Sequence, residues 1–148
     1  MLFRSPRDNA HLWLAFNLRA HHMQAQTVAR RVAEAGATWS ELDALISRHG
    51  LPERTIDAMF DAVLGYRVRR GGYAKRTGAG DQTATRDLGA LASAGILALV
   101  GIGRGRYYTA GESLQRIRDD RRARRPPLRD PYPWMRARLA VLPEAKDE

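Results

Sequence analysis

Cysteine is absent from the 148 residues, which excludes a disulfide framework, a thiolate zinc site and a cysteine nucleophile. No apolar run approaches the length of a membrane span, and the N-terminus has no signal-peptide apolar region. The expectation is therefore a soluble, cytoplasmic protein without membrane contact. Aromatic residues are scarce at 7%, yet hydrophobic residues still reach 44%, enough for a core and too many for a disordered chain. This length suits one ordinary domain with an appendage and is short for a two-domain enzyme.

Negative charge is also in short supply. The formal net charge is +9, carried almost entirely by arginine. Residues 1–50 and 51–103 each sum to +2, whereas residues 104–138 hold eleven arginines against four acids. A cluster of this kind attracts phosphate and releases counterions on binding.

Glycine and proline are missing from Asn9 to Ala35, so this stretch reads as one long helix. Leu14, Leu18, Ala25, Val28, Val32 and Ala35 share a face, and Leu12, Phe16 and Met23 widen it. That width suits packing against another helix or a partner subunit. Gly36 is expected to stop this helix, with Ser40 capping a second through Arg48. Pro52 opens a third helix, whose apolar face is Ile56, Met59, Phe60, Val63 and Leu64.

Arg69 to Thr77 reads as a short helix with Tyr73 and Ala74 inward, and Gly78-Ala79-Gly80 as a turn. Asp81 then caps a helix to about Ser93, buried through Ala84, Leu88, Leu91 and Ala92, and closed by Ala94-Gly95. Ile96–Val100 and Arg106–Thr109 are β-prone runs joined by a glycine-rich hairpin. Past Gly111 a charged helix runs to Arg124. Pro126-Pro127 ends it, and a last short helix spans Trp134 to Leu142.

A short helix, a glycine turn, a second helix and an arginine-tipped hairpin describe a winged helix-turn-helix. The fold class expected is mainly α: a long N-terminal helix and helical region (1–65), a winged helix-turn-helix with a two-stranded wing (66–110), and a basic helical extension (111–148). In such a module the second helix presents polar side chains to base edges from its first turns. Here those would be Gln82, Thr83, Thr85 and Arg86, with glutamine suited to adenine and arginine to guanine. Lys75, Arg76, Arg104 and Arg106 would meet phosphates or the minor groove. The same polar residues also fit an ordinary solvated helix face, with Arg86 paired to Asp81 or Asp87.

Other chemistry is weaker. Gly78-Ala79-Gly80 lacks the Lys-Ser/Thr ending of a phosphate-binding loop. His21 and His22 point about 100° apart on a helix, with no carboxylate at ligand spacing. No catalytic residue, cofactor site or metal site is expected.

The run Trp13-Leu14-Ala15-Phe16-Asn17-Leu18-Arg19-Ala20-His21-His22-Met23-Gln24-Ala25-Gln26-Thr27 resembles the helix that follows the catalytic core in long Fic-family proteins. Gly50-Leu51-Pro52-Glu53-Arg54 fits that class as well. So do Ala84-Thr85-Arg86-Asp87-Leu88, Ala94-Gly95-Ile96-Leu97 and Gly103-Arg104-Gly105-Arg106-Tyr107-Tyr108. The resemblance spans about Asn9 to Arg118 in collinear order and implies the winged helix appended to the Fic domain. The His-Pro-Phe-x-x-Gly-Asn-Gly-Arg loop that transfers AMP is absent, so adenylyl transfer is not implied. The chain is then either a piece of a longer Fic-type protein or a free-standing relative, and a non-enzyme in both cases. The expected function is DNA binding in transcription regulation, with duplex DNA as partner and a homodimer through the long helix. The alternative is a target-recognition module of Fic-type adenylyltransferases, its basic surface meeting an acidic protein.

Overall fold

The computed structural model describes residues 6–139, and the chain is mainly helical with one small antiparallel sheet. Helix α1 runs from Pro6 to His49 without a break. The expected stop at Gly36 and restart at Ser40 do not occur. Instead, Ser40 Oγ donates to the Gly36 carbonyl at 3.2 Å, a bond back along the helix and not a cap. A mid-helix glycine costs about 1 kcal/mol relative to alanine. Packing of Leu42, Leu45 and Ile46 into the core outweighs it.

A 3-10 turn, Glu53–Thr55, leads into α2, Ile56–Val63. Ile56, Met59 and Val63 are buried as expected, whereas Leu64 is exposed. After α2 the chain extends through Val68, which exchanges backbone hydrogen bonds of 2.9 and 2.8 Å with Tyr108. Helix α3 spans Arg70–Thr77 and ends on Gly78, whose φ of 67° is the left-handed conformation that favours glycine. Helix α4 spans Asp81–Ser93 and ends in Ala94-Gly95, the glycine at φ 68°. Its N-cap is Gly80, not Asp81, and no side chain caps it. Asp81 is the first helical residue, where its charge favours the helix dipole.

Strands β1 (Leu97–Val100) and β2 (Tyr107–Ala110) pair antiparallel, with Leu97 opposite Ala110 and Val100 opposite Tyr107. Helix α5, Glu112–Ala123, follows, and α6 begins at Trp134 and runs to Leu139. The expected continuation of α6 to Leu142 lies outside the described residues.

The chain divides into two compact units. One is Ala33–Arg125, whose core joins Leu42 and Ile46 of α1, Met59 and Val63 of α2, Tyr73 of α3, Leu88 and Leu91 of α4, Ile96, Tyr108 and Leu114. The arginines of α5 and its end also bind α1 here. Arg121 Nη2 lies 2.7 Å from Glu41, and Arg125 forms two bonds of 2.8 Å with Glu34.

The other unit comprises residues up to Val32 and from Pro126 on. In it Arg19 makes a bidentate pair with Asp130, and Gln26 exchanges hydrogen bonds with the backbone of Arg129. Ala15 and Met135 are buried. The apolar face expected to pack, however, is open: Leu14, Leu18, Val28 and Val32 are 50%, 48%, 49% and 67% exposed. No helix among the described residues is long and apolar enough to cross a membrane.

Candidate functional site

A groove of about 610 Å³ lies where the start of α3, the exposed side of α4 and the hairpin turn converge. Four arginines line it: Arg69, Arg70, Arg104 and Arg106. Thr85 and Leu88 of α4 and Tyr108 of β2 supply the rest of the wall, with Gly71, Gly72 and Gly103 leaving backbone accessible. A shallower recess of about 330 Å³ adjoins it, sharing Arg70 and Thr85 and adding Asp81, Gln82 and Arg86.

Local chemistry explains why these groups meet. The bridge between Val68 and Tyr108 ties the approach to α3 against β2, which sets Arg69 and Arg70 beside the hairpin. The turn of the hairpin contains Gly101 at φ 82° and Gly103 at φ 59°. A side chain at Gly101 would sit 3.1 Å from the Gly105 carbonyl oxygen, so the turn is tight as well as left-handed. It raises Ile102 into solvent, 92% exposed, beside Arg104 and Arg106. Arg67 stacks over the Tyr107 ring at 4.7 Å, an arrangement worth about 0.5–1 kcal/mol at an exposed site.

Charge balance sharpens the picture. Among the described residues, Arg69, Arg86, Arg104 and Arg106 have no carboxylate partner. Arg70 has only a loose contact of 3.6 Å with Asp81, both exposed. By contrast Arg116, Arg118, Arg121 and Arg125 are each matched to an acid. The positive stretch read at 104–138 is thus partly neutralised, although Arg122 and Arg124 form no ion pair with an acid among the described residues, and the groove holds a second set of unmatched arginines.

Of the expected contact residues, Thr85, Arg104 and Arg106 line the groove, while Gln82 and Arg86 line the recess beside it. Thr85 is exposed and donates its hydroxyl to the Asp81 carbonyl at 2.8 Å. Thr83 is half-buried and lines neither concavity. Lys75 and Arg76 stand at the far end of α3, and Arg76 is held 2.5 Å from Asp61 of α2. The sequence reading missed Arg69 and Arg70, although Arg67-Val68-Arg69-Arg70 before a glycine pair was a visible basic run.

Asp87 was the larger omission. It is 2% exposed on α4, and Arg54 donates to it from Nε at 2.7 Å and Nη2 at 3.0 Å. The Tyr73 hydroxyl donates to the same carboxylate at 2.9 Å. The Arg54 bonds, aided by Tyr73 and opposed by burial, hold the Asp87 carboxyl below the usual carboxylate range. Burial first, and then the facing carboxylate, push the Tyr73 phenol up to about 12. The expected alternative, Asp87 paired with its neighbour Arg86, is not what forms. This triad locks α4 to α3 and to the turn before α2, and so sets the pitch of the helix that fronts the groove.

Among the described residues no cluster of three histidines and acids is placed to hold a metal ion. No protein family, curated protein or solved structure matches the chain.

Proposed function

We propose that residues 66–110 form a winged helix-turn-helix and that the chain binds duplex DNA through the arginine groove, in a regulatory role. The observation that carries this reading is the convergence of Arg69, Arg70, Arg104 and Arg106, three of them without an acidic partner among the described residues, on the exposed side of α4. Element order supports it: α2, a bridging residue at Val68, α3, a glycine turn, α4 and a hairpin follow the order of winged modules. In this reading α4 enters the major groove with Gln82, Thr85 and Arg86 toward base edges. The hairpin lies along the backbone with Arg104 and Arg106 on phosphates. Thr83, Lys75 and Arg76 have a smaller share, since none of them lines the groove or recess.

Fluorescence anisotropy with a mixed-sequence duplex over a salt series tests the proposal. About four phosphate contacts give a log–log slope near −3.6, so affinity falls roughly 150-fold between 50 and 200 mM salt. Absence of binding at low salt removes the reading.

A second reading has one observation in its favour. Leu99, Val100 and Ile102 make an apolar hairpin edge that is exposed, which would suit a protein partner of the kind the Fic resemblance implies. A protein partner held at this apolar edge would bind with weak salt dependence, and loss on Ile102→Ser would mark it.

A further inference from the structure

Positions 14, 18, 21, 25, 28 and 32 of α1 follow one another at steps of four, three, four, three and four. That is the a/d spacing of a heptad seam, carried here by Leu14, Leu18, His21, Ala25, Val28 and Val32. All six are exposed. The seam lies about 120° round the helix from Ala15, which is buried, and from Arg19 and Gln26, which bond to Asp130 and Arg129. Packing among the described residues therefore leaves it uncovered.

Charge indicates what covers it. In a chain of net charge +9 most surfaces repel a second copy. From Ala10 to Val32 the formal charges are Arg19, which Asp130 neutralises, and Arg30 and Arg31 at the end of the seam. A face of leucine and valine flanked by Asn17, Gln24 and Ala29 has nothing to offer phosphate. In an antiparallel arrangement the Arg30-Arg31 pairs of the two copies stand at opposite ends of the seam, so two like chains meet at little Coulombic cost.

Side-chain volume indicates the direction. Run antiparallel about a two-fold axis, the positions pair so that their numbers sum to 46. Leu14 then meets Val32, Leu18 meets Val28, and His21 meets Ala25. Each layer joins a larger side chain to a smaller one, the condition for even packing. Run parallel, His21 would meet His21 and Ala25 would meet Ala25, a crowded layer followed by a void.

We propose that two copies of this chain associate through α1 as an antiparallel two-helix coiled coil, with those three layers each occurring twice. The association does not depend on the groove binding DNA, and it gives a molecule with two grooves related by a two-fold axis.

Sedimentation equilibrium of the full chain, without DNA, is expected to give twice the chain mass. Leu18→Glu with Val28→Glu is expected to give the monomer with unchanged helix content by circular dichroism, because both side chains are exposed in the single chain. The lack of cysteine makes the direction directly readable. Leu18→Cys and Val28→Cys are each expected to stay uncross-linked alone and to form a disulfide-linked dimer when mixed and oxidised. A monomeric wild type overturns the association. Cross-linking of Leu18→Cys with itself overturns the antiparallel pairing, as does failure of the mixture to cross-link.

Discussion

Asp87 joins three pieces of chain through one carboxylate: its own helix α4, Tyr73 on α3 and Arg54 in the turn before α2. Removing a buried acceptor strands the donors aimed at it, so Asp87→Ala is expected to cost about 2–3 kcal/mol in denaturant unfolding. Tyr73→Phe loses one hydrogen bond and is expected to cost about 1 kcal/mol. The pH dependence follows from the sign of the shifts. A carboxyl held low contributes stability that is present above its unfolded value of about 3.9 and lost as pH falls through the folded value. A phenol held high contributes stability that is present below about 10 and lost as pH rises towards about 12. Asp87→Ala is therefore expected to flatten the acid limb of a stability–pH curve, and Tyr73→Phe the alkaline limb. Asp81 makes a separate residue-scale test. It is exposed at the recess, and its one ion-pair partner is Arg70 at 3.6 Å, so its charge opposes phosphate nearby. Asp81→Asn is expected to tighten DNA binding about threefold without changing stability by more than about 0.5 kcal/mol.

Two glycines give opposite expectations at the scale of elements. Gly36 sits within α1 with open space where a Cβ would go, so Gly36→Ala is expected to stabilise the chain by about 1 kcal/mol. Gly111 caps α5, and a Cβ there would lie 2.3 Å from the Gly95 carbonyl oxygen and 2.7 Å from that of Ile96. Both are backbone atoms, and the Gly111 amide is bonded to Ile96, so nothing can yield cheaply. Gly111→Ala is expected to cost about 3 kcal/mol, read by thermal or denaturant unfolding. These positions also show what could be read from sequence. The order of α3, α4 and the hairpin was legible because glycine at 78, 95, 101 and 103 marks left-handed turns between periodic runs. The continuity of α1 was not, because a local stop signal at Gly36 lost to tertiary packing of Leu42, Leu45 and Ile46. The exposed face of α1 was legible as a face, but its periodicity could not say whether the partner lay inside the chain.

For the whole molecule, net charge was a poorer guide than charge pairing. Arginine density peaks after residue 104, yet Arg116, Arg118, Arg121 and Arg125 meet carboxylates of α5 and α1. The acids at Glu34 and Glu41 lie some eighty to ninety positions away, a distance no composition count spans. Two of the four groove arginines, Arg104 and Arg106, and also Thr85 were named as contact residues from the sequence. Arg69 and Arg70 were missed because only the Val68–Tyr108 bridge brings them to the hairpin. Which arginines bind therefore matters more than how many there are. The decisive measurement is the affinity for mixed duplex DNA of two double variants that remove equal charge. Arg69→Ala with Arg104→Ala is expected to weaken binding at least tenfold and to reduce the salt slope by about two. Arg116→Ala with Arg118→Ala is expected to change affinity less than threefold. Equal losses from both, or a larger loss from the α5 pair, would contradict a site built at the groove.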